Sequence, residues 1–114
     1  MAFIESSHEG LITGTSISVY SVLVASPNSN ERIVIKSIMI HQNDPNSIFI
    51  HIGKLKGSNF YPFIKNWFEE DDTLMNDDGE IFVLDGTNES IVGFYTSGTI
   101  TNYPSFNVAW GLVT

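Results

Sequence analysis

Two runs of alternating residues constrain this chain more than anything else in it: ERIVIKSIMIHQ from Glu31 to Gln42 and SIFIHIGKL from Ser47 to Leu55, on either side of Asn43-Asp44-Pro45-Asn46. Ile38 and Ile40 before the turn, and Ile48, Ile50 and Ile52 after it, recur at a spacing of two, the period of a strand with one buried face. The pair reads as a β-hairpin, with Asn, Asp and Pro supplying the turn.

The rest of the chain repeats this grammar. SISVYSVLVA, from Ser16 to Ala25, sets Ile17, Val19 and Leu23 against Ser16, Ser18 and Tyr20 and reads as a first long strand, ended by Ser26-Pro27-Asn28-Ser29-Asn30. EIFVLD and SIVGFYT, around Gly86-Thr87-Asn88-Glu89, read as a second antiparallel pair. In the last strand Phe106, Val108, Trp110 and Leu112 point one way and Asn107, Ala109, Gly111 and Val113 the other. Only Lys56 to Asp78 breaks the pattern. There the residues suggest a short strand from Asn59 to Ile64, then Trp67-Phe68 against the edge of the core, then an exposed acidic loop, with a helical turn over Lys65 to Asp72 left open. No amphipathic helix of useful length appears.

Six to eight short strands with regular turn signals predict an all-β chain, a single antiparallel β-sandwich of jelly-roll or immunoglobulin-like topology. At 114 residues it is read as one domain, with the polar opening, residues 1–12, a candidate flexible arm. There is no internal repeat of the kind that builds propellers or solenoids. With no cysteine, disulfides and thiolate metal sites are excluded. Thirteen acidic against five basic residues leave a net charge of −8, which opposes a phosphate backbone or an anionic membrane surface, so neither nucleic acid nor membrane is expected as a partner. The start MAFIESSHEG has Glu5 where a secretory leader would be basic and then apolar, and no apolar run is long enough to span a bilayer.

Four sets of residues invite a chemical reading. Glu69, Glu70, Asp71 and Asp72, followed by Asp77 and Asp78, form an acidic stretch suited to a hard cation or a basic partner surface. An EF-hand is excluded, because with Gly79 at the turn position Leu74 would stand where the first carboxylate is required. His41 and His51, one on each arm of the expected hairpin, can face each other as two metal ligands, but a third ligand is missing and hydrogen-bonded sheet histidines are the commoner case. No metal or other cofactor is expected. The aromatics Phe60, Tyr61, Phe63, Trp67 and Phe68 are candidates for an interface or ligand surface, with Tyr61 and Trp67 the two able to stack on a sugar and Trp110 assigned to the core. Ser, His and Asp residues occur without any framing catalytic motif, so no catalytic residue is assigned and no enzymatic activity is expected.

From about Val19 onward the order of features resembles the small β-sandwich virion proteins of tailed bacteriophages, through VYSVLVASPNSNERIVIKSIMIHQND, SIFIHIG, EIFVLDGTNESIVGFYTSGTITN and FNVAWGLV. The resemblance covers most of the chain and rests on strand spacing and turn residues. The segment Phe60 to Asp78 departs from it, since such proteins more often carry a simpler polar strand there. What the resemblance implies is a structural part in a virion: capsid decoration, a neck or tail component, or a fibre module. Such a part works through contacts with other virion proteins and with copies of itself. A carbohydrate-binding sandwich, lectin-like or a receptor-binding tip that takes a glycan, is the alternative expectation on the same fold.

Overall fold

Alternation marks which residues of a strand face inward; only a partner strand turns it into a sheet. The computed structural model describes residues 3–76, 82–97 and 99–114. Among these, nine strands form: β1 (Phe3–Leu11), β2 (Ser21–Val24), β3 (Arg32–His41), β4 (Ile48–Lys56), β5 (Asn59–Phe68), β6 (Thr73–Asn76), β7 (Phe82–Asp85), β8 (Glu89–Thr96) and β9 (Ser105–Val113). They build two antiparallel sheets. The first runs β1-β9-β3, with β6 and β7 both paired to the free side of β3; the second runs β2-β8-β4-β5.

The pairing is nested. β4 pairs with β5, β3 with β6 and β7, β2 with β8 and β1 with β9, as if one long hairpin had been folded over into two layers joined by the β3–β9 and β4–β8 ladders. With β6 and β7 counted as two halves of one edge, this is the eight-strand, double Greek-key order of a jelly roll. The expected sandwich is present, and of its two topologies the strand order is that of the jelly roll.

Both hairpins expected from the sequence are corrected by this order. β3 and β4 lie in different sheets, and so do β7 and β8, so Asn43–Asn46 and Gly86–Asn88 carry the chain across the core. The tight hairpin is instead β4–β5, where the irregular segment was expected to begin. It turns at Gly57, whose positive φ of 61° suits glycine, and whose N–H donates to the carbonyl of Asn88. β5 also runs four residues past Ile64 and leads into a tight turn at 69–72, with no helix.

Crossing at Asn43–Asn46 places the two isoleucine rows face to face. Ile33, Ile35, Ile38 and Ile40 on β3 meet Ile48, Ile50 and Ile52 on β4 within one core, to which Phe106 and Val108 of β9 and Ile91 and Tyr95 of β8 also belong. The row on β3 changes parity at Lys36, where a bulge against β9 inserts one residue and keeps all four isoleucines on the same side. Each fully buried isoleucine stabilises the fold by about 2 kcal/mol.

The expected long strand over Ser16–Ala25 shrinks to Ser21–Val24. Residues ahead of it fold into a loop in which Val19 donates to Ser16 O and Thr15 to Val19 O, leaving Ile17 and Val19 exposed. Gly14 presses on this loop, since a Cβ there would lie 2.4 Å from the Val19 carbonyl oxygen. The polar opening, by contrast, supplies β1, which pairs along its full length with β9.

Two buried carboxylates hold the crossings. Asp44 accepts hydrogen bonds from the Asn46 N–H (3.0 Å), the Thr101 N–H (2.7 Å) and hydroxyl (2.8 Å), and the Asn102 N–H (2.8 Å). Beside it, buried Gln42 donates to the carbonyls of Asn46 (2.9 Å) and Phe68 (3.1 Å) and accepts from the Asp44 N–H. At the other crossing Glu89 accepts from the Asp85 N–H (3.1 Å) and pairs with Lys54 (2.7 Å) and Lys56 (3.7 Å). Among the described residues, no buried side-chain polar atom lacks a partner. Burial alone would raise the Asp44 pKa, but the donors from Asn46, Asn102 and Thr101 outweigh it and hold the carboxyl well below the usual carboxylate range.

Ile50→Ala is expected to cost about 2–5 kcal/mol in urea unfolding, whereas Val19→Ala should stay within about 0.5 kcal/mol. A group whose folded pKa is depressed stabilises fully above its unfolded value of about 3.9 and loses that contribution as pH falls through the folded value. Asp44→Asn should therefore lower the melting midpoint at pH 7 by roughly 5 °C or more and flatten the acid limb of stability below about pH 4. A mutant that melts like the parent across that range would remove Asp44 from this role.

Candidate functional site

The alternation that buries Ile48, Ile50 and Ile52 necessarily turns Phe49, His51 and Gly53 to the outer face of the second sheet. The ladders decide what stands beside them. Phe49 lies between Trp67 of β5 and Thr96 of β8; His51 lies between Lys65 and Phe94; Gly53 lies between Pro62 and Val92.

These positions join five rings into a row. Trp67 meets Phe49 edge-on at 5.2 Å between centroids, and Phe49 meets His51 at 4.8 Å. His51 stacks on Phe94 at 4.4 Å and 13°, and Phe94 meets Phe60 at 5.6 Å. Gly53 makes room for the last ring, because a Cβ there would fall 2.7 Å from a Phe60 ring carbon and 2.5 Å from the Tyr61 carbonyl oxygen. Each such ring pair adds about 0.5–1.5 kcal/mol beyond the area it buries. The row is unevenly covered: Phe94 is 8% exposed beneath its neighbours, while Trp67 is 56% exposed at the end.

The electrostatics of the face favour a neutral imidazole. Burial pushes the His51 pKa down, and the positive charge of Lys65 pushes it further in the same direction. His51 Nε2 lies 3.2 Å from the Thr96 hydroxyl. At neutral pH the ring is therefore a flat stacking surface, with Lys65 the cation next to it. Lys54 and Lys56, also on this sheet, are committed to Glu89, whereas Lys65 has no ion-pair partner among the described residues.

The structure divides the sequence candidates. Phe60 and Trp67 belong to the row, whereas Tyr61, though exposed, pairs with Lys54 at the opposite parity and is not part of it. Phe63 is the extra residue of a bulge against β4 and packs on the core, and Phe68 is buried within it. Phe49 and Phe94 are not among the sequence candidates, and His51 is there a metal ligand or, more commonly, a hydrogen-bonded sheet histidine, which its contact with Thr96 matches. The signal for two of them was available in SIFIHIG, whose outward parity carries Phe49 and His51.

His41 and His51 do not face each other, because they sit in opposite sheets; His41 Nδ1 lies 2.6 Å from the Thr73 hydroxyl. The acidic stretch forms a hydrogen-bonded turn between β5 and β6. Asp72 accepts from the Glu69 N–H at 2.7 Å, Glu69 accepts from the Ser47 hydroxyl, and the turn is tied to Gln42 through its N–H to Asp72 O and its carbonyl from Asp71 N–H. Glu70 and Asp71 point their charges to solvent. Asp77 and Asp78 lie outside the described residues, and among the described residues no three metal-ligating side chains gather.

A cleft of about 460 Å³ opens where four-residue β2 fails to cover nine-residue β1. Half-buried Trp110, Ile33, Leu112, Val22 and Pro27 line it with His8, whose Nδ1 lies 2.8 Å from the Leu23 carbonyl oxygen.

The chain matches no family model and no curated protein.

The uneven cover of the ring row predicts uneven energetics. Phe94→Ala should cost about 3–5 kcal/mol in urea unfolding, while Trp67→Ala should cost about 1–2 kcal/mol, for its pairing with Phe49 and the covered part of the ring. Equal losses at the two positions would mean that the indole is needed for folding.

Proposed function

We propose that this chain is a non-enzymatic structural protein of a bacteriophage virion, joining other virion proteins and copies of itself through the outer face of its second sheet. The observation that carries this reading is Trp67, an indole more than half exposed at the end of an aromatic row. Indoles and phenols anchor protein interfaces because a large rigid ring buries much area at small entropic cost. The jelly-roll order is compatible with the same reading, which the resemblance of the strand spacing to phage virion proteins suggests. It makes the surplus acidity intelligible as well, since exposed Glu70 and Asp71 lie at the rim of that face, where a basic patch on a capsid or tail protein can meet them.

A glycan-binding reading is favoured by one specific arrangement: the Trp67 indole stands in the open with Lys65 two residues away on the same face and Thr96 across the sheet, beyond Phe49. An indole face packs on the apolar side of a pyranose while such polar groups hold its hydroxyls.

The virion reading is checked by sedimenting lysate particles on a gradient and probing for the protein, which should travel with them and survive washing at moderate salt. A protein found only at the top of the gradient would sink it. For the glycan reading, an array should give a sugar-dependent signal that Trp67→Ala abolishes, and a blank array ends it.

A further inference from the structure

The outer face of the first sheet carries a recess that suits the projecting corner of the second. Across β1, β9 and β3 the register sets Glu9, Asn107 and Met39 in one row, with Leu11 and Ser105 in the next. These residues line a concavity of about 290 Å³. Beyond Met39, its cross-strand neighbour Met75 is 63% exposed and Leu11 is 53% exposed, so the recess has an apolar rim. Glu9 has no ion-pair partner among the described residues, and β1 carries a second carboxylate, Glu5, and no lysine or arginine.

On the opposite side of the molecule, Lys65 and Trp67 stand two residues apart on β5, on the same face as Phe49 and His51. That corner offers an unpaired ammonium, an exposed indole and a supporting phenyl ring. The recess offers an unpaired carboxylate, a carboxamide able to accept from the indole N–H, and thioether and aliphatic walls. Methionine sulfur and aromatic rings attract one another, and the opposed charges set the orientation.

The geometry points to a head-to-tail contact between copies of this chain, in which the Lys65–Trp67 corner of one copy seats in the Glu9–Leu11–Met39–Asn107 recess of the next. This rests on the proposed assembly role of the second sheet's outer face and names its partner surface. Because donor and acceptor surfaces differ, the contact leaves one of each free at every step, so it closes into a ring or continues as a stack.

The test uses two variants of the full chain, each checked for an unchanged circular dichroism spectrum. Trp67→Ala with Lys65→Glu removes the corner; Glu9→Lys with Met39→Asp removes the recess. Light scattering should show the parent as a multimer whose mass rises with concentration, and each variant alone as a monomer. Mixed one to one, the two variants should form a heterodimer and nothing larger, because each retains the surface that the other lacks. Lys65→Glu combined with Glu9→Lys in one chain should recover association at least about tenfold over either single reversal. A mixture that stays monomeric, a corner variant that still multimerises, or a parent that is monomeric throughout would each overturn the head-to-tail contact. If the parent still sediments with particles in such a case, the virion reading stands with a different partner; if it does not, both fall.

Discussion

A buried carboxylate at each of two chain crossings is the constraint on which the rest of this fold depends. A jelly roll requires the chain to leave one sheet and enter the other, and at that point the backbone loses its ladder partners while remaining close to the core. Asp44 supplies acceptors for four donors there, three of them on or next to Thr101, so the β3–β4 crossing and the β8–β9 crossing become one hydrogen-bonded unit. Glu89 does the same for β7–β8 with the Asp85 N–H and two lysines. There too, burial pulls the carboxyl pKa upward and the Lys54 and Asp85 donors, with the nearby positive charges, pull it down further. A carboxylate left in such a site without its donors would be strongly unfavourable, so the crossings form together with their partners or not at all.

Once those crossings are in place, one strand makes both the core and the candidate surface. β4 runs through the middle of the second sheet, and its even-numbered isoleucines fill the sandwich while Phe49 and His51 face out. The rings they meet come from β5 and β8, which are separated from β4 by a tight hairpin on one side and by more than thirty residues on the other. The result is graded: rings near Phe94 are covered and contribute to folding, and the indole at the Trp67 end is left over for a partner. The strong acidity of the chain is likewise divided. Asp44, Glu69, Asp72 and Glu89 act inside turns and crossings, whereas Glu5, Glu9, Glu70 and Asp71 remain on the surface.

Residue by residue, the sequence was legible where a feature is local. The isoleucines at 38, 40, 48, 50 and 52 and the inward row of β9 lie where their spacing placed them. The row Ile33, Ile35, Ile38, Ile40 shows how a bulge hides in such a pattern, as a change of parity at Lys36 that becomes meaningful only against β9. Turn signals misled twice, at Asn43–Asn46 and Gly86–Asn88, because Asn, Asp, Gly and Pro mark a change of direction and do not say in which sheet the chain lands. Ile17 and Val19 alternate correctly yet form no strand, having no ladder to join. Of the aromatic candidates, Phe60 and Trp67 reached the surface row while Phe63 and Phe68 went to the core; alternation separates Trp67 from Phe68, and the bulge at Phe63 turns Phe60 outward.

The central strands β3, β4, β8 and β9, their inward faces and the all-β class follow from the chain alone, since side-chain alternation is a property of two or three neighbouring residues, whereas β1 and β6 carry no such signal. Which strands pair, that sequence-adjacent strands face each other across the core, and that Trp67, Phe49, His51, Phe94 and Phe60 meet on one face were decided only in three dimensions. The physical reason is that pairing depends on donors and acceptors brought together from residues far apart in the chain, above all those that close around Asp44.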